Sequence, residues 1–385
     1  MPGVSRRRFI QNSSLLVLGA KPLSAFAKHL GKKKLLLVGT ETGGKSTSKG
    51  IYAYAFDSKS GELEQLGLAV EAGSPTFMAF TPNKKMLYSV NGVRQFEGKP
   101  GGGVSGFTVD RENDKLALIN EVSSVGGGPV HIAVDHTGHC VFVANYGSGS
   151  MASFSTAADG HLNPAVSFFQ YHGDAEDPKR KSHAHRVTVS PNNRFVLVND
   201  LGLDCIHIYK LDPATAKLTL NDPPMWKSAP GAGPRALVFH PNGKIAYCVN
   251  ELKPTMDVLS WDGDKGEFTT IQNVSLVAEG YHGACAPGDV VFDKKMKFAY
   301  VTSRLDDFMA TFTVAPDGKL TLLNHTSCGG IRPRHLALDP TDSWLLIGNQ
   351  DSGNIAVFAR DKKTGHLAET GKSYPLAGPM CLLFA

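Results

Sequence analysis

No stretch of this sequence is long and apolar enough to span a bilayer; the run Leu15 to Ala20 is too short and too interrupted. Helical periodicity is scarce, which argues against a bundle or an α/β architecture. The six cysteines, Cys140, Cys205, Cys248, Cys285, Cys328 and Cys381, show no C-x-x-C spacing, so a structural zinc site has no support. Most sit inside apolar runs such as Cys140-Val141-Phe142-Val143, where they act as small buried hydrophobes, and no disulfide is assigned. Charge of one sign does not accumulate either. The net charge is +5, with part of the positive charge near the N-terminus, and nucleic acid is not expected as a partner. Neither Gly101-Gly102-Gly103 nor Gly126-Gly127-Gly128 leads from a strand into a helix, so neither is a phosphate loop. A Gly-x-Ser-x-Gly nucleophile elbow in a strand-turn-helix setting is also missing, and Gly147-Ser148-Gly149-Ser150 reads as a turn.

What is present in quantity is turn chemistry, with 41 Gly and 22 Pro in 385 residues, and an internal repeat. The unit is a Pro-led apolar strand, a polar turn, a second strand ending in Asn, and a third alternating strand. Its anchors are Pro75, Pro129, Ala184, Pro234, Pro287, Pro333 and Pro379, separated by 54, 55, 50, 53, 46 and 46 residues. From Pro75, Pro129, Pro234 and Pro333 the terminal Asn (Asn91, Asn145, Asn250, Asn349) follows 16 residues later each time. Such spacing fits the four-stranded antiparallel blades of an all-β, seven-bladed β-propeller. After Pro379 only Met380 to Ala385 remain, while Leu35 to Thr40 looks like a second strand without a first. The C-terminal strand is therefore expected to complete the N-terminal blade and close the ring, leaving no open sheet edge.

At the N-terminus, Ser5-Arg6-Arg7-Arg8-Phe9-Ile10-Gln11, the following apolar run and Ala25-Phe26-Ala27 read as a twin-arginine export signal. This divides the chain into a cleaved segment, 1–27, and a single propeller domain, 28–385, that is periplasmic or otherwise exported and expected to be a monomer.

The start of each first strand and the end of each second strand are antiparallel neighbours on one face of the ring. Residues just past the anchors are Thr76, Val130, His185, Arg235, Gly288, Arg334 and Met380. Those just past the terminal Asn or Ser, taking Asn199 as the end in the third copy, are Gly92, Tyr146, Asp200, Glu251, Arg304 and Gln350. One rim thus gathers His185, Asp200, Arg235, Glu251, Arg304 and Arg334, an arrangement suited to a small anion or, equally, to ion pairing between blades. His183, His172 and His282 lie in loops that border the same mouth.

The band Gly231-Ala232-Gly233-Pro234-Arg235-Ala236-Leu237-Val238-Phe239-His240-Pro241-Asn242-Gly243, continued by Ala246-Tyr247-Cys248-Val249-Asn250-Glu251-Leu252, resembles the 6-phosphogluconolactonase family of seven-bladed propellers. Ser182-His183-Ala184-His185 and Arg332-Pro333-Arg334 carry related bands. The resemblance implies hydrolysis of a sugar lactone, and a mouth rich in Arg and poor in carboxylates suits a small anionic substrate and argues against a calcium site, so no metal or other cofactor is expected. It assigns catalysis to His185, Arg235 and Glu251 and substrate binding to Arg304 and Arg334, and the rim geometry adds Asp200 and the neighbouring His183 as substrate-binding candidates. The family is also similar to fungal carboxymuconate cyclases, so lactonising cyclisation and a non-catalytic binding propeller stay as alternatives. Ala236 stands where the family often has His.

Overall fold

The computed structural model describes residues 33–385 except 111–114, 174–176 and 178, so the export segment proposed above lies outside the described residues. Among the described residues there is no helix, and seven four-stranded antiparallel sheets are arranged as the blades of a ring. We number the blades by their anchors. Blade 1 runs outward through Met78–Phe80, Met86–Asn91, Gly103–Asp110 and Lys115–Ser123. Blade 2 begins with Pro129–Val134 and Cys140–Asn145, blade 3 with Ala184–Val189 and Phe195–Asp200, and blade 4 with Pro234–Phe239 and Ile245–Asn250. Blade 5 begins with Pro287–Phe292 and Phe298–Ser303, and blade 6 with Pro333–Leu338 and Trp344–Asn349.

Blade 7 is assembled from both ends of the chain. Pro379–Phe384 is its innermost strand and pairs with Lys34–Thr40, which continues outward to Gly50–Asp57 and Glu62–Glu71. The expected closure is present, with Leu36 opposite Phe384 and Val38 opposite Leu382. No strand edge is left at the junction, which removes a template for intermolecular pairing.

The core lies between blades. Seven apolar clusters each draw on two neighbouring blades, for example Phe142 and Met151 of blade 2 against Val187 and Tyr209 of blade 3. The second strands supply most of this packing because their side chains face a neighbouring blade on both sides. Tyr88, Tyr247 and Tyr300 occupy one repeated position there. Each is fully buried, and each hydroxyl donates to a glycine carbonyl in the next blade's outer turn: Gly160 at 3.0 Å, Gly318 at 3.1 Å and Gly365 at 2.8 Å. A large apolar ring is buried while its one polar atom is satisfied, so each tyrosine ties adjacent blades together.

The terminal Asn of the repeat also has a physical role. Buried Asn145 and Asn349 donate through Nδ2 to the carbonyls of Ser124 and Cys328, at 3.1 and 3.0 Å, tethering the incoming loop to the end of the second strand. In blade 3 that position belongs to Asp200, which pairs with Ala184 as Asn145 pairs with Pro129. The sequence alignment that ended this strand at Asn199 was therefore short by one residue. Sixteen residues separate Ala184 from Asp200, the same interval as in the Pro-anchored copies.

Candidate active site

Two backbone devices place side chains at one mouth of the channel. The first is a hydrogen bond repeated in all seven blades, in which the residue after the second strand donates its N–H to the carbonyl just before the anchor. Its members are Gly92 to Ser74, Tyr146 to Gly128, Leu201 to His183, Glu251 to Gly233, Arg304 to Ala286, Gln350 to Arg332 and Glu41 to Gly378, all between 2.8 and 3.1 Å. Several of the acceptors need a left-handed backbone, such as Gly233 at φ 68°, where an added Cβ would also meet the Leu252 side chain at 2.6 Å.

The second device is a β-bulge directly after the anchor. In six blades the register slips there, between Pro129 and His131, Ala184 and Arg186, Pro234 and Ala236, Pro287 and Val290, Pro333 and His335, and opposite Pro379. A bulge breaks the strict alternation of side chains and re-aims the extra residue. Consecutive residues consequently reach the channel: Val130 with His131, and His185 with Arg186, line the same cavity.

That cavity, about 200 Å³ in volume, also touches Arg235, Asp289, Arg334 and, at its lip, Glu41 and Gln350. It is smaller than the roughly 300–1,000 Å³ of drug-sized pockets and suits a ligand of monosaccharide size. Beside it, Glu251 is held between two guanidinium groups, with Oε2 2.8 Å from Arg235 Nε and Oε1 2.6 Å from Arg304 Nη2. Arg235 further donates from Nη1 to the Gly288 carbonyl at 2.6 Å, which fixes its orientation. Arg334 makes no ion pair among the described residues, and its buried Nε has no hydrogen-bond partner. Burial and neighbouring arginines strain these cations: Arg235 is pushed down to about 10 and Arg334 to about 9. The same two causes, burial first and then Arg235, Arg334 and Arg304, hold His185 well below the usual imidazole range, so it is neutral at pH 7.

The floor is a layer that the repeat spacing does not announce. Asp289 Oδ1 accepts from Arg186 Nη1 at 2.8 Å, and His335 Nε2 lies 3.5 Å from Oδ2. Burial alone would raise the Asp289 carboxyl, but Arg186, then His335 and Arg235, outweigh it and hold it well below the usual carboxylate range. His131 and His335 each accept a backbone N–H through Nδ1, from Val187 at 3.4 Å and Leu382 at 3.3 Å, so both carry their proton on Nε2. These are inner-strand N–H groups of the next blade, where no further strand is available to pair them. Phe77 packs against both rings at centroid distances of 4.1 and 5.5 Å. Phe77, His131, Arg186, Asp289 and His335 are the residues two past their anchors, and their side chains meet one another across the channel.

Of the residues singled out from sequence, the structure brings His185, Arg235 and Arg334 to the cavity and sets Glu251 and Arg304 beside Arg235. Asp200 and His183 are not among its lining residues. Asp200 is fully buried and accepts from Ser182 Oγ and from the backbone N–H groups of His183, Gly202 and Leu203, which makes it the strand-end tether of blade 3. His183 stacks on Tyr146. His172 and His282 are also outside the cavity. Sequence reasoning missed Asp289, Arg186, His131 and Glu41. The available signal was Gly288: with no side chain at the first bulge position, the polar group falls to the next residue.

Residues 35–384 match the family described as "Lactonase, 7-bladed beta-propeller". This chain belongs to that family. The lactonase propellers it resembles include the 6-phosphogluconolactonase of Bacillus subtilis, 32% identical over 90% of this chain and 97% of the relative, and that of Formosa agariphila, 31% identical over 88% and 96%. Among solved structures, the periplasmic gluconolactonase of Pseudomonas aeruginosa superposes with a TM-score of 0.86 at 31% identity, covering 92% of this chain and 99% of that one. Among the described residues of this family member, no group of three His, Cys, Asp or Glu side chains is arranged to hold a metal ion, and no helix is long and apolar enough to cross a membrane.

Proposed function

We propose that this protein hydrolyses the lactone of a sugar acid in the cationic cavity at the channel mouth. The observation that carries the reading is an excess of guanidinium groups around a cavity of monosaccharide size. Arg186, Arg235, Arg304 and Arg334 are opposed there by Glu251 and Asp289, with Glu41 exposed at the lip. Unspent positive charge in a partly desolvated site stabilises an oxyanion as it forms and favours substrates that carry an anionic group. Names borne by relatives, 6-phosphogluconolactonase and gluconolactonase, point to the same substrate class.

In the proposed reaction, water adds to the lactone carbonyl carbon while His185 takes its proton, and Arg235 with Arg334 holds the developing oxyanion. Collapse of the tetrahedral adduct breaks the acyl–oxygen bond of the ring, and the ring oxygen leaves with a proton returned by the imidazolium. His185 is preferred as the base over Glu251 because it lines the cavity as a neutral ring, whereas both Glu251 oxygens are engaged by arginines. An anionic substrate offsets Arg235 and Arg334, two of the causes that depress His185, and so strengthens the base when it is needed. Glu251 then serves to aim Arg235. Positive charge comes from side chains, so the proposed reaction is independent of metal.

Export to the periplasm is part of the proposal, supported by the twin-arginine segment at Arg6 to Arg8 and by the periplasmic relative. Hydrolysis is tested in isotopically labelled water. Solvent oxygen entering the product carboxylate supports it, and a product without solvent oxygen replaces it with cyclisation or isomerisation.

A further inference from the structure

Tyr146 is the aromatic member of the seven-residue rim, and His183 braces one face of it. Its N–H donates to the Gly128 carbonyl at 2.9 Å, and its own carbonyl lies 3.2 Å from Nδ1 of His183. A carbonyl oxygen can only accept, so Nδ1 of His183 carries a proton. The two rings stack at 4.5 Å between centroids, 22° from parallel. His183 is itself immobilised, since its N–H donates to buried Asp200 at 2.9 Å and its carbonyl accepts from Leu201 at 3.1 Å. The tether at Asp200 therefore acts through His183 to fix the plane of Tyr146.

Tyr146 lies beside the cavity rather than in its lining, and its ring makes a T-shaped contact with the lining residue His185, at 5.7 Å between centroids and 83°. The phenol is close enough to Glu251 and to Arg304, Arg235 and Arg334 to sense their charges, yet its hydroxyl makes no hydrogen bond among the described residues. Tyr146 is only half-buried, in contrast to the blade-tying tyrosines Tyr88, Tyr247 and Tyr300. A braced, half-buried ring whose hydroxyl makes no hydrogen bond among the described residues, beside the arginines, is not accounted for by packing.

We propose that Tyr146, braced by His183, is the platform on which the ring of the substrate lies, and that it selects polyhydroxylated lactones over bare ones. A sugar ring presents a flat patch of C–H bonds flanked by hydroxyl groups. An aromatic face covers the first, and the phenol is at hand for the second. Because the platform is already immobilised, little side-chain entropy is lost when the substrate lands. This assignment rests on the lactone-hydrolysis reading and names a specificity residue for the same site.

The test compares wild type, Tyr146→Phe, Tyr146→Ala and His183→Ala on gluconolactone and on δ-valerolactone, which has the ring but not the hydroxyls. Tyr146→Ala raises KM for gluconolactone about tenfold with kcat within about threefold, while KM for δ-valerolactone changes less than about threefold. Tyr146→Phe keeps most of the affinity, and His183→Ala falls between Phe and Ala. An unchanged KM for gluconolactone in Tyr146→Ala overturns the platform and leaves hydrolysis standing. So does an equal loss on both lactones, the sign of a merely structural role. Wild-type protein inert toward both lactones removes the reading beneath it as well.

Discussion

The ring is closed by six residues, and the structure sets the energy of that closure at Leu382. Its side chain is 1% exposed and packs with Leu36, Val38 and Tyr54 of its own blade and Leu346, Ile355 and Val357 of blade 6. A Cβ placed on Gly348 would lie 2.8 Å from Leu382 Cδ1, so the side chain rests directly on the backbone of the neighbouring blade. Two paired strands on opposite sides give the site little freedom to collapse. Leu382→Ala should therefore fall in the upper part of the usual 2–5 kcal/mol range, about 3–5 kcal/mol. With an unfolding entropy of about 2.1 cal/mol/K per residue over roughly 350 residues, that loss lowers Tm by about 4–7 °C. Removing 379–385 deletes Leu382, buried Cys381 and the whole ladder to Lys34–Thr40. The cost approaches the entire stability of a typical domain, about 5–15 kcal/mol, and the truncated chain should not fold. Guanidinium and thermal melts measure both variants, with Leu220→Ala as a control because Leu220 is 57% exposed and should shift stability by less than about 0.5 kcal/mol. If Leu382→Ala melts with the control, or the truncation melts with the full chain, strand closure is not what holds the ring.

Other parts of the molecule carry separate expectations. Arg360 pairs with Asp293 at 2.9 Å, both almost fully buried, and also donates to the Tyr300 hydroxyl and the Asp342 carbonyl; Arg360→Met strands a buried carboxylate and should cost about 3–5 kcal/mol in a denaturant melt. His131, His185 and His335 all have folded pKa values below the usual imidazole value, so below pH ~6.5 the unfolded chain binds protons that the native state refuses. Stability is then full above pH ~6.5 and falls on acidification by up to ~1.4 kcal/mol per pH unit per histidine; a flat denaturation midpoint between pH 7 and 5 contradicts this. Glu251→Gln weakens the hold on Arg235 and should lower kcat/KM by about 10²–10³-fold, measured by initial rates, whereas turnover equal to wild type removes Glu251 from the site.

Much of the fold can be read from the chain because each blade repeats the same solution at the same interval. In blades 1, 2, 4 and 6 a proline precedes or opens the inner strand and a buried Asn closes the second, and the arithmetic between Pro129 and Asn145 or Pro234 and Asn250 counts the blades. Strand closure follows from a lone inner strand at one end and an unpaired second strand at the other. The site was legible only in its upper layer. Strict alternation sends the first and second residues after the anchor to opposite sides, which hides His131, Arg186 and Asp289. The bulge cancels that alternation, and apart from Gly288 before Asp289 no residue type marks it. Asp200 misled for a related reason. Its carboxylate is chemically suited to a cavity, but its register places it where blades 2 and 6 keep the tethering amides Asn145 and Asn349.

Turnover of gluconolactone and 6-phosphogluconolactone, followed in a pH-stat with protein beginning at Lys28 and compared with Arg334→Met, tests the central claim most directly. Hydrolysis by the wild type, reduced at least about 100-fold by loss of the unpaired Arg334, is the predicted result. Wild-type rates no faster than buffer on either lactone would contradict it, and would leave the cationic cavity as a binding site without chemistry.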